Sequence, residues 1–222
     1  MDAQTFTNEQ FRIQFRHKFS WHRSAKCGMV IKKGTPNSQK ITCGCIFSCP
    51  YCASRIFSAR KDELDQVLSW ARSEGYSMYH ITYTLPHTKY DKLDRTLGDL
   101  KNLRSKMFSG RWSQYFKNNH DLVGSVRVLD VSYSLSNGWS PKIHEIITFK
   151  TPFETKGREV SCSEAPHEAL KDVLWSTYKK RANTIGLSKP LHQEHHLVVT
   201  EADGNGSFYF NKWRFRKFRQ SS

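Results

Sequence analysis

Three groups of side chains in this sequence carry atoms suited to chemistry. The first is a crowd of thiols: Cys43, Cys45, Cys49 and Cys52 fall close together, with Cys27 upstream and Cys162 isolated. Cys49-Pro50-Tyr51-Cys52 is a CxxC turn, which offers two thiolates to one ion, and Cys27 and Cys43 can complete a tetrahedral zinc site. Either Cys43 or Cys45 fits the ligand set by spacing. Such bunching favours metal ligation over disulfides where thiols stay reduced, with free or redox thiols as the alternative. Cys162 reads as a plain small residue.

The second group is an oxygen–nitrogen pair. Residues two apart on a strand share a face, so Val128, Asp130 and Ser132 align on one segment, and Lys142 and His144 on the next. If the two segments form a hairpin, Asp130 and His144 can meet across it and hold a divalent metal. Spacing alone favours the plainer reading, an edge aspartate beside a satisfied histidine. The third group is Tyr209-Phe210-Asn211-Lys212-Trp213. On a helix, Lys212 and Trp213 lie on the face of Tyr209. A phenol of pKa about 10 can attack a phosphodiester when a cation or metal helps the phenolate form. Here too the residues alone favour a plainer reading. Phe208, Tyr209, Trp213, Phe215 and Phe218 form an aromatic stripe packed on a sheet, while Arg214, Arg216, Lys217 and Arg219 face nucleic acid.

Periodic segments must position these groups. Residues 1–26 are polar and basic without a period and are expected to form a loose arm. Residues 27–56 are the cysteine region, rich in turn formers (Gly34, Pro36, Asn37, Ser38). A helix is expected from about Ser58 to Gly75, where Leu64, Val67, Leu68 and Ala71 recur at helical spacing and Gly75 suits the C-cap. Tyr79, Ile81, Tyr83 and Leu85 alternate with His80, Thr82 and Thr84, which predicts a strand from Met78 to Leu85. A second helix is expected from Lys92 to Phe108. The basic, aromatic stretch Arg111 to Lys117 reads as a connection to a long strand, Leu122 to Ser134. Asn137-Gly138 turns the chain into a return strand from Lys142 to Phe149. Beyond a loop from Pro152 to Cys162, Ser163 can cap a helix carrying Leu170, Val173, Leu174, Tyr178 and Ile185. A short strand from His195 to Val199 and a basic helix from Ser207 to Gln220 close the chain. The pattern predicts an α+β fold, an antiparallel sheet with helices on one face.

The formal net charge of +15 and pI near 9.7 point to a polyanionic partner, because neutralised phosphates release condensed counterions. A generic RNA-binding protein satisfies the same composition. No apolar run approaches the roughly 18 residues of a membrane span, and Met1 opens a polar segment without a signal-peptide pattern. A cytoplasmic protein with no membrane partner is expected.

Taken in order, these segments resemble the HUH-type rolling-circle replication initiators, the Rep proteins of plasmids and phages, from about Cys27 to Trp213. Cys43-Gly44 with Cys49-Pro50-Tyr51-Cys52-Ala53, followed by Arg55 and Arg60, resembles the family's opening. Ile81-Thr82-Tyr83-Thr84-Leu85-Pro86-His87 resembles its first motif, and Arg127-Val128-Leu129-Asp130-Val131 its acidic strand. Asn137-Gly138-Trp139 stands where the family reads Asn-Gly-Trp-His-Pro-His-x-His, and Tyr209-x-x-Lys212-Trp213 matches the nucleophile motif. The departure is Ser140-Pro141-Lys142-Ile143-His144, which keeps one histidine of the pair and places Lys142 at the other.

The resemblance implies an antiparallel, RRM-like HUH-nuclease sheet in a domain spanning 57–222, preceded by the arm 1–26 and a zinc-binding region 27–56 held by Cys27, Cys43, Cys49 and Cys52. It implies Tyr209 as nucleophile, Lys212 as its electrostatic partner, and Asp130 and His144 as ligands for Mn²⁺ or Mg²⁺. Single-stranded DNA at a replication origin would meet Lys142, Arg111, Trp112, Arg214 and Arg216 through phosphate contacts and base stacking, with host helicase and polymerase as further partners. A protonated ammonium cannot bind a metal, so Lys142 leaves three readings. It supplies charge to the scissile phosphate; or the metal recruits a substitute ligand, with His192, His195 and His196 the nearest candidates if their role is not simply structural; or catalysis has decayed to a DNA-binding regulator. A zinc-ribbon RNA-binding protein is the rival from another class. The absence of a Walker A loop leaves room for this to be the nuclease domain of a longer protein.

Overall fold

The computed structural model describes Ala25, Cys27 and residues 42–45, 49–154, 165–187 and 192–202. These fall into two compact units, one ending at Val67 and one running from Leu68. The elements are α1 (Pro50–Ser73), β1 (Ser77–Thr84), α2 (Leu93–Met107), α3 (Gly110–Asn119), β2 (Leu122–Ser134), β3 (Gly138–Phe149), α4 (Pro166–Thr184), α5 (Gln193–His196) and β4 (Leu197–Glu201). Four strands form one antiparallel sheet in the order β2-β3-β1-β4, so the α+β architecture expected from the sequence is the one found. No helix among the described residues is long and apolar enough to cross a membrane.

The period-two alternation of the strands separates two faces. One carries Tyr79, Ile81, Tyr83, Ile143, Ile147, Phe149, Leu197 and Val199. These pack with Leu100, Leu103 and Met107 of α2, Phe116 of α3, and Leu170, Leu174 and Tyr178 of α4. The other face carries His80, Thr82 and Thr84 of β1, Lys142 and His144 of β3, and Val128 and Asp130 of β2, all half-buried. Tyr178 ties α4 to the end of β1, its hydroxyl donating to the Thr84 carbonyl at 2.6 Å.

Several boundaries differ from the sequence expectation. Helix α1 begins at Pro50, ahead of its apolar stripe, because proline suits the first turn, where its missing N–H is not needed; the CxxC turn therefore opens a helix. Arg111 to Lys117 is helical rather than a connection. Trp112 and Phe116, one turn apart, stack at 5.1 Å and seat α3 on the core, a period that the surrounding basic residues obscure. Strand β3 starts at Gly138 and tolerates Pro141 because β1 ends opposite Lys142, leaving Pro141 a neighbour on β2 alone. Helix α4 is led by Ala165, with Pro166 in its first turn; Ser163, the expected cap, lies outside the described residues, as do Cys162 and the expected C-terminal helix. His195 and His196 form a helical turn instead of starting β4.

Glycine is needed at the β2–β3 turn on two counts. Gly138 has φ +71°, and a Cβ there would lie 2.7 Å from the Lys89 Cα. Deeper in the hairpin, Glu145 projects from β3 into the apolar face and is fully buried. Arg104 of α2 meets it in a two-pronged contact: Nε donates to Oε2 at 2.5 Å and Nη2 donates to Oε1. The guanidinium also lies 3.6 Å from the Phe108 ring centroid. Burial of either ion alone would be costly, so the pair holds β3 to α2 directly behind His144.

Glu145→Ala is expected to destabilise the protein by about 3–5 kcal/mol, because it strands a buried cation, whereas Arg104→Met combined with Glu145→Leu loses far less. Urea unfolding measures both, and equal losses in the two variants would contradict this role for the pair.

Candidate functional site

The thiols form a compact cluster. The Sγ atoms of Cys27, Cys43, Cys49 and Cys52 all lie within 4.8 Å of one another, and all four residues are buried. Cys27 and Cys52 approach to 3.4 Å, Cys43 and Cys52 to 3.6 Å. Backbone N–H groups of Cys43 and Cys45 donate to the sulfurs of Cys27 and Cys43, each at 3.4 Å. Cys45 stays outside the set, its thiol directed at the Cys43 carbonyl at 3.6 Å; Cys43 is thus the member that completes the four. Burial pushes the Cys27 and Cys43 thiols up from their ordinary pKa. Burial works the same way on Cys52, but hydrogen bonds from Cys27, the Gly44 backbone and Cys43 outweigh it and bring Cys52 down. Four buried sulfurs at this spacing can hold a metal ion of zinc type.

The second constellation sits on the polar face of the sheet. The register pairs Asp130 of β2 with Lys142 of β3 and Lys142 with Thr84 of β1. One row along, Val128, His144 and Thr82 are neighbours. Asp130 and His144 therefore meet on a diagonal, with Asp130 Oδ2 at 3.9 Å from His144 Nε2. That is too long for a hydrogen bond, but two metal–ligand bonds of about 2.1 Å can span up to about 4.2 Å. On the other side, His144 Nδ1 lies 3.2 Å from His80 Nε2 and 3.1 Å from Thr82 Oγ1. The structure thus brings together Asp130, His144 and the neighbouring Lys142, and adds two residues that sequence reasoning did not single out. The signal for His80 and Thr82 was present in the alternation of β1; what was missing was the strand order that sets β1 beside β3.

The histidines considered as substitute ligands gather beside the end of β1. His192, His195 and His196 line an open cleft with Thr84, Leu85, Pro86 and His87, whereas the imidazole against His144 is His80. His196 is buried, and its Nδ1 lies 2.8 Å from the His192 carbonyl. Burial, together with nearby His192, His195 and His87, holds its pKa below the ordinary histidine value. His196 thus serves the join between α5 and β4.

Of the residues expected to meet nucleic acid, Arg111 is exposed at the start of α3. Trp112 is half-buried, its ring stacked on Phe116 and edge-on to Phe108. Lys142 is half-buried on the polar face. Tyr209, Lys212, Arg214 and Arg216 lie outside the described residues.

No family model matches the chain, and no solved structure does. Among curated proteins, the chain is similar to "Protein rep" of Streptomyces lividans, with 26% identity over 176 residues, covering 66% of this chain and 38% of that protein. It is also similar to "Neomycin resistance protein" of Streptomyces cyanogenus, with 25% identity over 132 residues, covering 48% of this chain and 30% of that protein. The chain spans less than two fifths of the length of these relatives.

The purified protein is expected to carry tightly bound zinc that is lost in Cys49→Ser and Cys52→Ser but kept in Cys45→Ser. Elemental analysis after exhaustive dialysis checks this; zinc lost from Cys45→Ser, or retained by Cys52→Ser, would contradict the four-sulfur assignment.

Proposed function

We propose that the protein is a rolling-circle replication initiator of the Rep type, which binds single-stranded DNA at an origin and nicks it through Tyr209. The carrying observation is the meeting of Asp130 and His144 at 3.9 Å on the polar face of an antiparallel sheet, with Lys142 alongside. The similarity to "Protein rep" supports a role in replication. The sequence motif Tyr209-x-x-Lys212-Trp213 supports the choice of nucleophile.

In this reading, residues 57–222 form the HUH-type nuclease domain, with 27–56 its zinc-holding region and 1–26 its basic arm. The Tyr209 oxygen attacks the phosphorus of one phosphodiester and gives up its proton. The bond to the 3′ oxygen breaks, and that oxygen takes up a proton to leave as a 3′-hydroxyl that a polymerase can extend behind a host helicase. The 5′-phosphotyrosine left on the protein conserves the phosphodiester's energy, so attack by a 3′-hydroxyl rejoins strands. Lys212 stabilises the phenolate. His144 and Asp130 are the residues that would hold Mn²⁺ or Mg²⁺, which when bound polarises the phosphate. Lys142 adds positive charge beside Asp130, where the scissile phosphate approaches. Arg111, Arg214 and Arg216 neutralise flanking phosphates.

Lys142 also favours a second reading, a scaffold that binds the strand without cutting it, because one imidazole of the resembled metal motif is absent. Incubation with pooled single-stranded DNA of the replicon, in Mn²⁺, Mg²⁺ or EDTA, separates the two. The expected product is a denaturant-resistant protein–DNA adduct that disappears in Tyr209→Phe and is suppressed by EDTA. Lys142→Ala is expected to slow adduct formation by about 10²-fold. DNA binding without an adduct in any metal would establish the binding-only scaffold instead.

A further inference from the structure

We propose that His80 is a positioning residue for His144: it accepts the proton on His144 Nδ1 and so keeps the His144 Nε2 lone pair directed toward Asp130. The inference rests on the metal reading of Asp130 and His144 given above. A neutral imidazole has one nitrogen bearing hydrogen and one bearing a lone pair, and the hydrogen bond made by the first decides which nitrogen can bind a metal. His144 has its two nitrogens in two different settings. Nε2 faces Asp130 Oδ2 at 3.9 Å, and Nδ1 faces His80 Nε2 at 3.2 Å.

The geometry separates a positioning role from direct ligation. The planes of the two imidazoles differ by 13°, and their centroids are 5.3 Å apart. For an N···N contact of 3.2 Å, that separation is close to the longest two such rings allow. The rings therefore lie nearly end to end, and the facing nitrogens point at each other along one line. Two ligands of a single ion must instead converge on a third point. This arrangement suits an N–H···N hydrogen bond and not a shared metal. The sheet imposes it: His144 sits opposite Thr82 on β1, and His80 sits opposite Ile146. His80 thus lies on one diagonal from His144 and Asp130 on the other. Thr82 Oγ1, 3.1 Å from the same Nδ1, flanks the bond and can share the proton.

With Lys142 in the place of an imidazole, the single remaining histidine must bind without a second one beside it on β3. An oriented, hydrogen-bonded His144 is the more basic ligand. Outer-shell partners of this kind are typically worth 10- to 100-fold in metal affinity.

The test is a Mn²⁺ titration of the full chain, followed by the EPR signal of the free ion, on the wild type, His80→Ala, His80→Gln and His144→Ala. Long-range ¹H–¹⁵N spectra report which nitrogen of His144 carries the proton. The expected results are binding by the wild type, no binding at this site in His144→Ala, and affinity about 10- to 100-fold lower in His80→Ala. His80→Gln, whose amide oxygen can accept the same proton, is expected to recover most of the loss, and metal-bound wild type is expected to show His144 protonated at Nδ1. Undiminished affinity in His80→Ala, with His144→Ala still deficient, would overturn the role of His80 alone. So would an Nε2-protonated His144 in metal-bound protein, a reading that stands even if His80→Ala misfolds. Wild-type protein that binds no Mn²⁺, or binds it equally after His144→Ala, would overturn the metal reading and this inference with it.

Discussion

Strand β3 carries its catalytic candidates and its structural anchor on alternate sides, and its register against both neighbours sets where each group goes. Glu145 enters the apolar face and is held there by Arg104, while Lys142 and His144 emerge on the polar face beside Asp130 and Thr82. A slip of one residue would exchange the faces, forcing His144 into the core and Glu145 into solvent. The buried ion pair makes that slip expensive, since the carboxylate has its guanidinium partner in only one register. Gly138 adds a second constraint, because the Lys89 backbone leaves no room for a Cβ at the hairpin's turn.

Much of this was legible in the sequence because it follows from short-range periodicity. β2 spans Leu122–Ser134, the bounds expected for the long strand, and the turn at Gly138 gives the hairpin. The shared face of Asp130 and His144 then needs only the antiparallel pairing that a hairpin provides. His80 was not legible in the same way. Its neighbour is His144, 64 residues along the chain, and their contact depends on β1 lying between β3 and β4. Nothing in the local pattern of β1 encodes that order. The choice between Cys43 and Cys45 was similarly open, because spacing cannot tell which thiol turns inward and which turns to a carbonyl. Helix α3 was hidden because its apolar stripe is short, Trp112 and Phe116, and is flanked by Arg111 and Lys117.

The proposed chemistry depends on how few ligands the polar face offers. A carboxylate and one imidazole form a minimal donor set for a hard divalent ion, which ordinarily completes its shell with water or substrate oxygens. Lys142 beside them lowers the local affinity for any cation and raises it for phosphate. The two effects are compatible if metal and DNA bind together, because the phosphate then screens the ammonium from the ion. The cysteine cluster answers a different need: its surrounding segment is rich in turn formers, and an ion held by the four sulfurs would supply order there.

The most direct measurement is an anomalous-scattering map from crystals grown with Mn²⁺ and a single-stranded oligonucleotide. The account predicts a Mn²⁺ peak on the polar face, in bonding contact with His144 Nε2 and a carboxylate oxygen of Asp130, with a phosphate oxygen completing its shell. A polar face without Mn²⁺, with Lys142 alone contacting the phosphate, would contradict it.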